Sequence, residues 1–93
     1  MKVKELLSDR SKWCQGSFAT DAEGNPRGIM APDATRFCLR GALGRCYPEQ
    51  TEYDAARKRL ESSLSSHSCL MEFNDSTFTT FTDVKELLER ADV

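Results

Sequence analysis

Four cysteines, Cys14, Cys38, Cys46 and Cys69, and one histidine, His67, are the side chains here with the chemistry of a thiolate nucleophile or a soft metal ligand. Structural metal sites gather such ligands in closely spaced pairs. The only close pair is His67 with Cys69, so buried thiols are expected, and no metal or other cofactor is called for. Nucleophilic catalysis would join one cysteine to His67 and to Asn74 or Asp75. His67 stands in a serine-rich stretch, where a solvated histidine is the simpler expectation, and no catalytic residue is assigned. Gly24, Gly28, Gly41 and Gly44 fit neither the dinucleotide fingerprint nor the P-loop, which excludes nucleotide enzymes of those two classes.

Binding chemistry is better represented. Arg36, Arg40 and Arg45, with Arg27 ahead of them, could hold a phosphate or a carboxylate in a local basic patch. The plainer alternative is solvated arginines on the exposed arc of a helix. Phe78 and Phe81 flank two threonines just before the last helical pattern, which makes an exposed aromatic and a partner contact there.

The elements that must position these residues are read from periodicity. Val3, Leu6, Leu7 and Arg10 recur at helical spacing, Trp13 continues their stripe, and Gly16 stops it. Asp21-Ala22-Glu23-Gly24-Asn25-Pro26 is a dense turn signal inside a short β-hairpin or ordered loop near residues 17–30. A helix capped by Asp33 is expected from Ala34 to Cys46, apolar on most sides and therefore central. On it Cys38 and Cys46 would lie about 12 Å apart, too far for a disulfide with each other. Gly41 and Gly44 cost this helix roughly 1 kcal/mol each, for which close approach of a neighbouring backbone is the expected compensation. Thr51 to Asp54 has the form of a capping box opening a surface helix with Tyr53, Ala56, Leu60 and Leu64 as its apolar stripe. Cys69 to Phe73 is expected to be buried and extended, with Asn74-Asp75-Ser76 as a turn. Thr80 to Asp83 is a second capping box, and Val84, Leu87, Leu88 and Ala91 carry the closing helix.

The predicted fold is mainly α: a single domain over residues 1–93, a small helical bundle of about four helices around a buried central one. Charged residues at 30% against apolar ones at 39% suit a globular chain. At 93 residues it buries only about two-thirds of its unfolded surface, which leaves room for stabilisation by homo-oligomers. A net charge of -2 disfavours sequence-independent nucleic-acid binding. Charges interrupt the apolar residues of the N-terminus, so neither a signal peptide nor a membrane partner is expected, and a cytoplasmic location is.

Trp13-Cys14-Gln15-Gly16, Asp21 with Gly24, Cys38-Leu39-Arg40-Gly41-Ala42-Leu43, and Asn74-Asp75 ahead of Thr80, Asp83 and Val84 stand in an order that covers nearly the whole chain. In these motifs the chain resembles an uncharacterised family of small bacterial and bacteriophage proteins. The resemblance implies a cytosolic accessory protein, brings no established activity, and directs attention to Trp13, Gly16, Cys38, Gly41, Asn74 and Asp75. The expected function is a non-enzymatic interaction or sequestration protein, phage-encoded and acting on a host protein or a host signalling molecule. One alternative is a small-ligand pocket or enzyme in which Trp13 stacks a ring, Asn74 and Asp75 make polar contacts, and Arg40 neutralises an anion. Another is a structural subunit that associates through Gly41, Ala42 and Gly44.

Overall fold

A computed structural model describes residues 1–64 and 69–93; His67 and its serine neighbours lie outside the described residues. The architecture is mainly helical, with α1 (Val3–Leu6), a 3-10 turn at Arg10–Lys12, β1 (Ala19–Thr20), β2 (Arg36–Phe37), α2 (Leu39–Cys46), α3 (Gln50–Ser63), α4 (Leu70–Asp75) and α5 (Phe81–Ala91). Among the described residues no helix is long and apolar enough to cross a membrane.

Helix α2 packs against α1, α3 and α4, and α5 closes the other side against α1 and α3. Leu39, Ala42 and Leu43 on α2 are fully buried with Val3, Leu7, Leu60, Val84, Leu87 and Val93. Each of the leucine and valine side chains among them contributes about 1.5–3 kcal/mol by leaving water. The two chain ends meet: Val3 donates its N–H to the Val93 carbonyl at 2.7 Å, and Lys2 and Lys4 both hold the Asp92 carboxylate. The hydrogen bond from Lys4, then that from Lys2, depresses the Asp92 pKa to about 2.

Several elements depart from the sequence expectation. The central helix begins at Leu39, five residues later than predicted, because the residues before it find backbone partners far away in sequence. Ala19 and Thr20 pair antiparallel with Phe37 and Arg36, Cys14 N–H donates to the Phe37 carbonyl, and Cys38 N–H donates to the Phe18 carbonyl. Non-local pairing overrides a weak helical propensity. Cys38 becomes the helix cap, its Sγ accepting from Gly41 N–H at 3.3 Å. The two-residue strands 19–20 and 36–37 pair across a longer loop, and inside the predicted 17–30 stretch Thr20 also faces Pro26 as an isolated antiparallel bridge, with Arg27 N–H donating to the Ala19 carbonyl at 2.9 Å. In that loop the Asp21 carboxylate accepts from the N–H groups of Glu23 and Asn25, at 3.0 and 2.9 Å.

The first helix ends at Leu6, so Trp13 is extended and pairs with Phe37 as a parallel bridge. Helix α3 starts at Gln50, with Glu49 accepting from Glu52 N–H, ahead of the predicted Thr51 box. Cys69 to Phe73 is not extended: Leu70 to Asp75 forms α4, and Asn74-Asp75 is its last turn. The Thr80–Asp83 capping box forms as expected, with reciprocal bonds of 3.3 and 3.0 Å.

Candidate functional site

Two regions gather the residues that the sequence marks out, and they differ in how their polar groups are used. The first centres on Asn74, which is 0% exposed. Its Oδ1 accepts from the Trp13 indole N–H at 2.8 Å and from Leu39 N–H at 2.9 Å. Its Nδ2 donates to the Cys14 carbonyl at 3.2 Å and to Asp75 Oδ1 at 2.8 Å. A primary amide has two donors and two acceptor lone pairs, and all four are engaged within the chain.

The neighbours close this network. Gly16 N–H donates to Asp75 Oδ1 at 3.1 Å, and Gln15 Nε2 donates to the carbonyls of Asn74 and Ser76. Gly16 has φ +83, a left-handed conformation that a side chain would strain, and that bend presents its N–H to Asp75. Asn74 therefore ties the 13–16 segment, the start of α2 and the end of α4 together. The concavity beside Trp13, about 410 Å³, is lined by Arg10, Gln15, Thr80 and Phe81 among others, and by neither Asn74 nor Asp75. The predicted pocket joining Trp13 to those two polar residues is thus filled by the bonds between them.

Of the thiols beside this network, Cys38 is buried and Cys14 half-buried. Burial pushes the Cys14 pKa up to about 11, with the neighbouring Cys38 adding to the shift, and burial also raises Cys38. Neither is prepared for nucleophilic attack at neutral pH, since the thiolate is the reactive form. Among the described residues no group of three or more His, Cys, Asp or Glu side chains converges to hold a metal ion.

The second region is a groove between the 18–30 loop and helices α2 and α3. Two adjoining concavities of about 340 and 430 Å³ share Ile29, Arg40, Gly44 and Tyr53. Phe18 and Gly41 line the first, and Met30 and Tyr47 line the second. Phe18 is 51% exposed and Met30 61%, although both are large and apolar. Their loop lies tight on α2 because Gly41 offers no side chain: a Cβ there would stand 1.9 Å from the Phe18 carbonyl oxygen. A Cβ on Gly44 would meet Ile29 Cδ1 at 2.5 Å. The small-residue face of α2, expected to receive a second copy, receives this loop of its own chain.

Arginines around the loop divide sharply. Arg27 pairs with Asp21 at 2.9 Å and Asp33 at 2.8 Å; its own pKa rises chiefly through the Asp33 hydrogen bond, while Asp21 is held below the usual carboxylate range first by the Asn25 N–H. Arg45 reaches back to the carbonyls of Ile29 and Ala31, and Arg36 to that of Ala22. Arg40 instead stands over the Phe18 ring, 6.0 Å from its centroid, and among the described residues donates only from Nε, to the Tyr53 hydroxyl at 3.2 Å. Among the described residues no carboxylate pairs with it.

Of the predicted binding residues, Trp13, Gly16, Asn74 and Asp75 come together, whereas Arg40 belongs to the groove, Arg36 braces the loop, and Phe78 stands 91% exposed between α4 and α5. Sequence reasoning passed over Phe18, Ile29, Met30 and Tyr53. The available signal was three large apolar residues, Phe18, Ile29 and Met30, flanking a segment of turn formers, where burial is hard to arrange. No curated protein and no solved structure matches the chain. A model of a family of unknown function, DUF6197, matches residues 1–92, and the chain belongs to that family.

Proposed function

We propose that this protein is a non-enzymatic binding protein, an interaction or sequestration module that holds another molecule in the groove between the 18–30 loop and helices α2 and α3. The carrying observation is that groove itself: contiguous concavities of ligand size, walled by aromatic and aliphatic side chains, and flanked by the exposed Phe18 and Met30. Binding sites for small molecules are concave and mostly apolar, with a few placed polar groups, and Arg40 and the Tyr53 hydroxyl supply those here. Capture suits the polar groups that line the groove, an arginine and a tyrosine hydroxyl able to hold a ligand by hydrogen bonds. A phage-encoded setting, with a host protein or signalling molecule as the captured species, fits this role.

Native mass spectrometry of the full chain isolated under non-denaturing conditions tests the proposal. The control is the double variant Phe18→Ser, Met30→Ser, which alters exposed side chains and spares the core. Wild type is expected to retain a bound molecule that the variant loses. A wild-type chain that carries nothing, or two proteins that carry the same species equally, would remove the groove from consideration.

A further inference from the structure

The outer edge of Arg40 faces the groove without a hydrogen-bond partner among the described residues. A guanidinium has five N–H donors. Arg40 uses Nε on the Tyr53 hydroxyl, and among the described residues its two terminal nitrogens make no hydrogen bond. The Tyr53 hydroxyl meets one edge of the group and the Phe18 ring lies under it, which leaves the outer fork open beside Gly41 and Gly44. A planar fork of this kind matches the two oxygens of a carboxylate in parallel hydrogen bonds.

The charge count around the groove sets the ligand's valence. Arg27 on the facing wall meets two carboxylates, Asp21 and Asp33, so that wall offers no surplus positive charge. Of the two arginines that line the groove, Arg40 is the one that no carboxylate pairs with among the described residues, which suits a ligand bearing a single carboxylate. The concavities, about 340 and 430 Å³, have the size of small-molecule sites.

We infer that the groove takes a small amphiphilic organic acid, a flat apolar or aromatic body bearing a single carboxylate that seats on the terminal nitrogens of Arg40 while the body lies between Phe18, Ile29 and Tyr53. This rests on the binding role proposed for the same groove and names its ligand class.

The test is an amide chemical-shift titration of the full chain with 2-naphthoate and with its uncharged counterpart 2-naphthamide. Naphthoate should shift the amides of Gly28, Ile29, Gly41 and Gly44 saturably and bind more tightly than the amide. Arg40→Gln should weaken naphthoate by about tenfold, the worth of a charged hydrogen bond, and leave naphthamide unchanged. Arg40→Lys, which keeps the charge and loses the fork, should recover only part of that loss. Equal affinities for the acid and the amide, or an Arg40→Gln variant that binds naphthoate as wild type does, would overturn the organic-acid inference while leaving the groove as a binding site. Groove amides that respond to neither probe, or that shift with protein concentration alone because a second copy occupies the groove, would overturn it as well.

Discussion

The Asn74 network and the Arg40 groove flank the same helix, yet one is closed and the other open. Around Asn74 each donor and acceptor of the amide has a partner, and the participants come from three separate stretches of chain. Around Arg40 the Tyr53 hydroxyl takes the Nε donor, but the terminal nitrogens of a charged group have nothing to bind among the described residues. A polar residue in a small protein is either holding the fold or available to something else, and the count of its satisfied hydrogen bonds separates the two. Satisfied, buried networks specify a unique structure, whereas a surface donor without a protein partner is open to water or to a ligand. By that criterion the residues that look most functional in the sequence, Trp13, Asn74 and Asp75, are holding residues.

The contrast is broken most directly at Asn74. Asn74→Leu strands the Leu39 N–H, the Cys14 carbonyl and the Trp13 indole N–H, and at ~1–3 kcal/mol per buried group the loss is expected to reach about 3 kcal/mol. For so short a chain that is a large share of total stability. Urea unfolding should show the midpoint fall; a change under about 0.5 kcal/mol would mean the network is dispensable. Thiol labelling reads the same region kinetically. With a pKa of about 11 for Cys14, its thiolate fraction at pH 8 is on the order of one in a thousand. Cys69 is exposed and should react first, Cys14 slowly, and Cys38 slowest, with Asn74→Leu accelerating the last two. Rapid native labelling of Cys38 would show that this side of α2 is not sealed.

How much of this was legible beforehand follows the range of the interactions. The closing helix was readable in full because its capping box and its apolar positions, Val84, Leu87, Leu88 and Ala91, are local signals. The start of α2 was not. Ala34 to Phe37 has nothing against a helix within its own window, and it is extended because Ala19, Thr20, Cys14 and Phe18 supply backbone partners from elsewhere. The same limit hid the site. Arg40 was a candidate from its charge, but that Arg27, Arg36 and Arg45 would all be engaged by the loop, leaving Arg40 over, depends on the path from Asp21 to Asp33. The glycines of α2 did announce a close neighbour, though not that Phe18 would be it.

On the groove side the largest expected effect is that of Gly41→Ala. The added Cβ meets a backbone carbonyl that cannot rotate away, so the Phe18 segment must move, at about 2 kcal/mol in the range of overpacked cores. The variant should lose β1–β2 protection in amide exchange before it loses the helices; unchanged exchange at Ala19 and Thr20 would contradict the close approach. A smaller effect comes from acid. Asp21 is depressed in the folded state by the Asn25 and Glu23 N–H groups and Arg27, so its contribution is complete above the ordinary aspartate value near 3.8 and is lost as pH falls through its lower native value. Amides 21–27 should therefore shift together below about pH 4, and Asp21→Asn should abolish that step.

The smallest effect is the sharpest test of the comparison. Arg40→Gln removes an exposed charge whose bond to Tyr53 joins two partly solvated groups, so stability should change by less than about 0.5 kcal/mol. Arg27→Gln breaks two ion pairs that anchor the loop and should cost more, which thermal unfolding of the pair at equal pH and salt would measure. If the two losses were equal, Arg40 would be a brace like its neighbours, with no capacity left over for a ligand. If Arg40→Gln were neutral while Arg27→Gln was not, the guanidinium over Phe18 would be a charge that folding does not need, held in place by an aromatic ring and a tyrosine hydroxyl. Such a group contributes only when something binds to it.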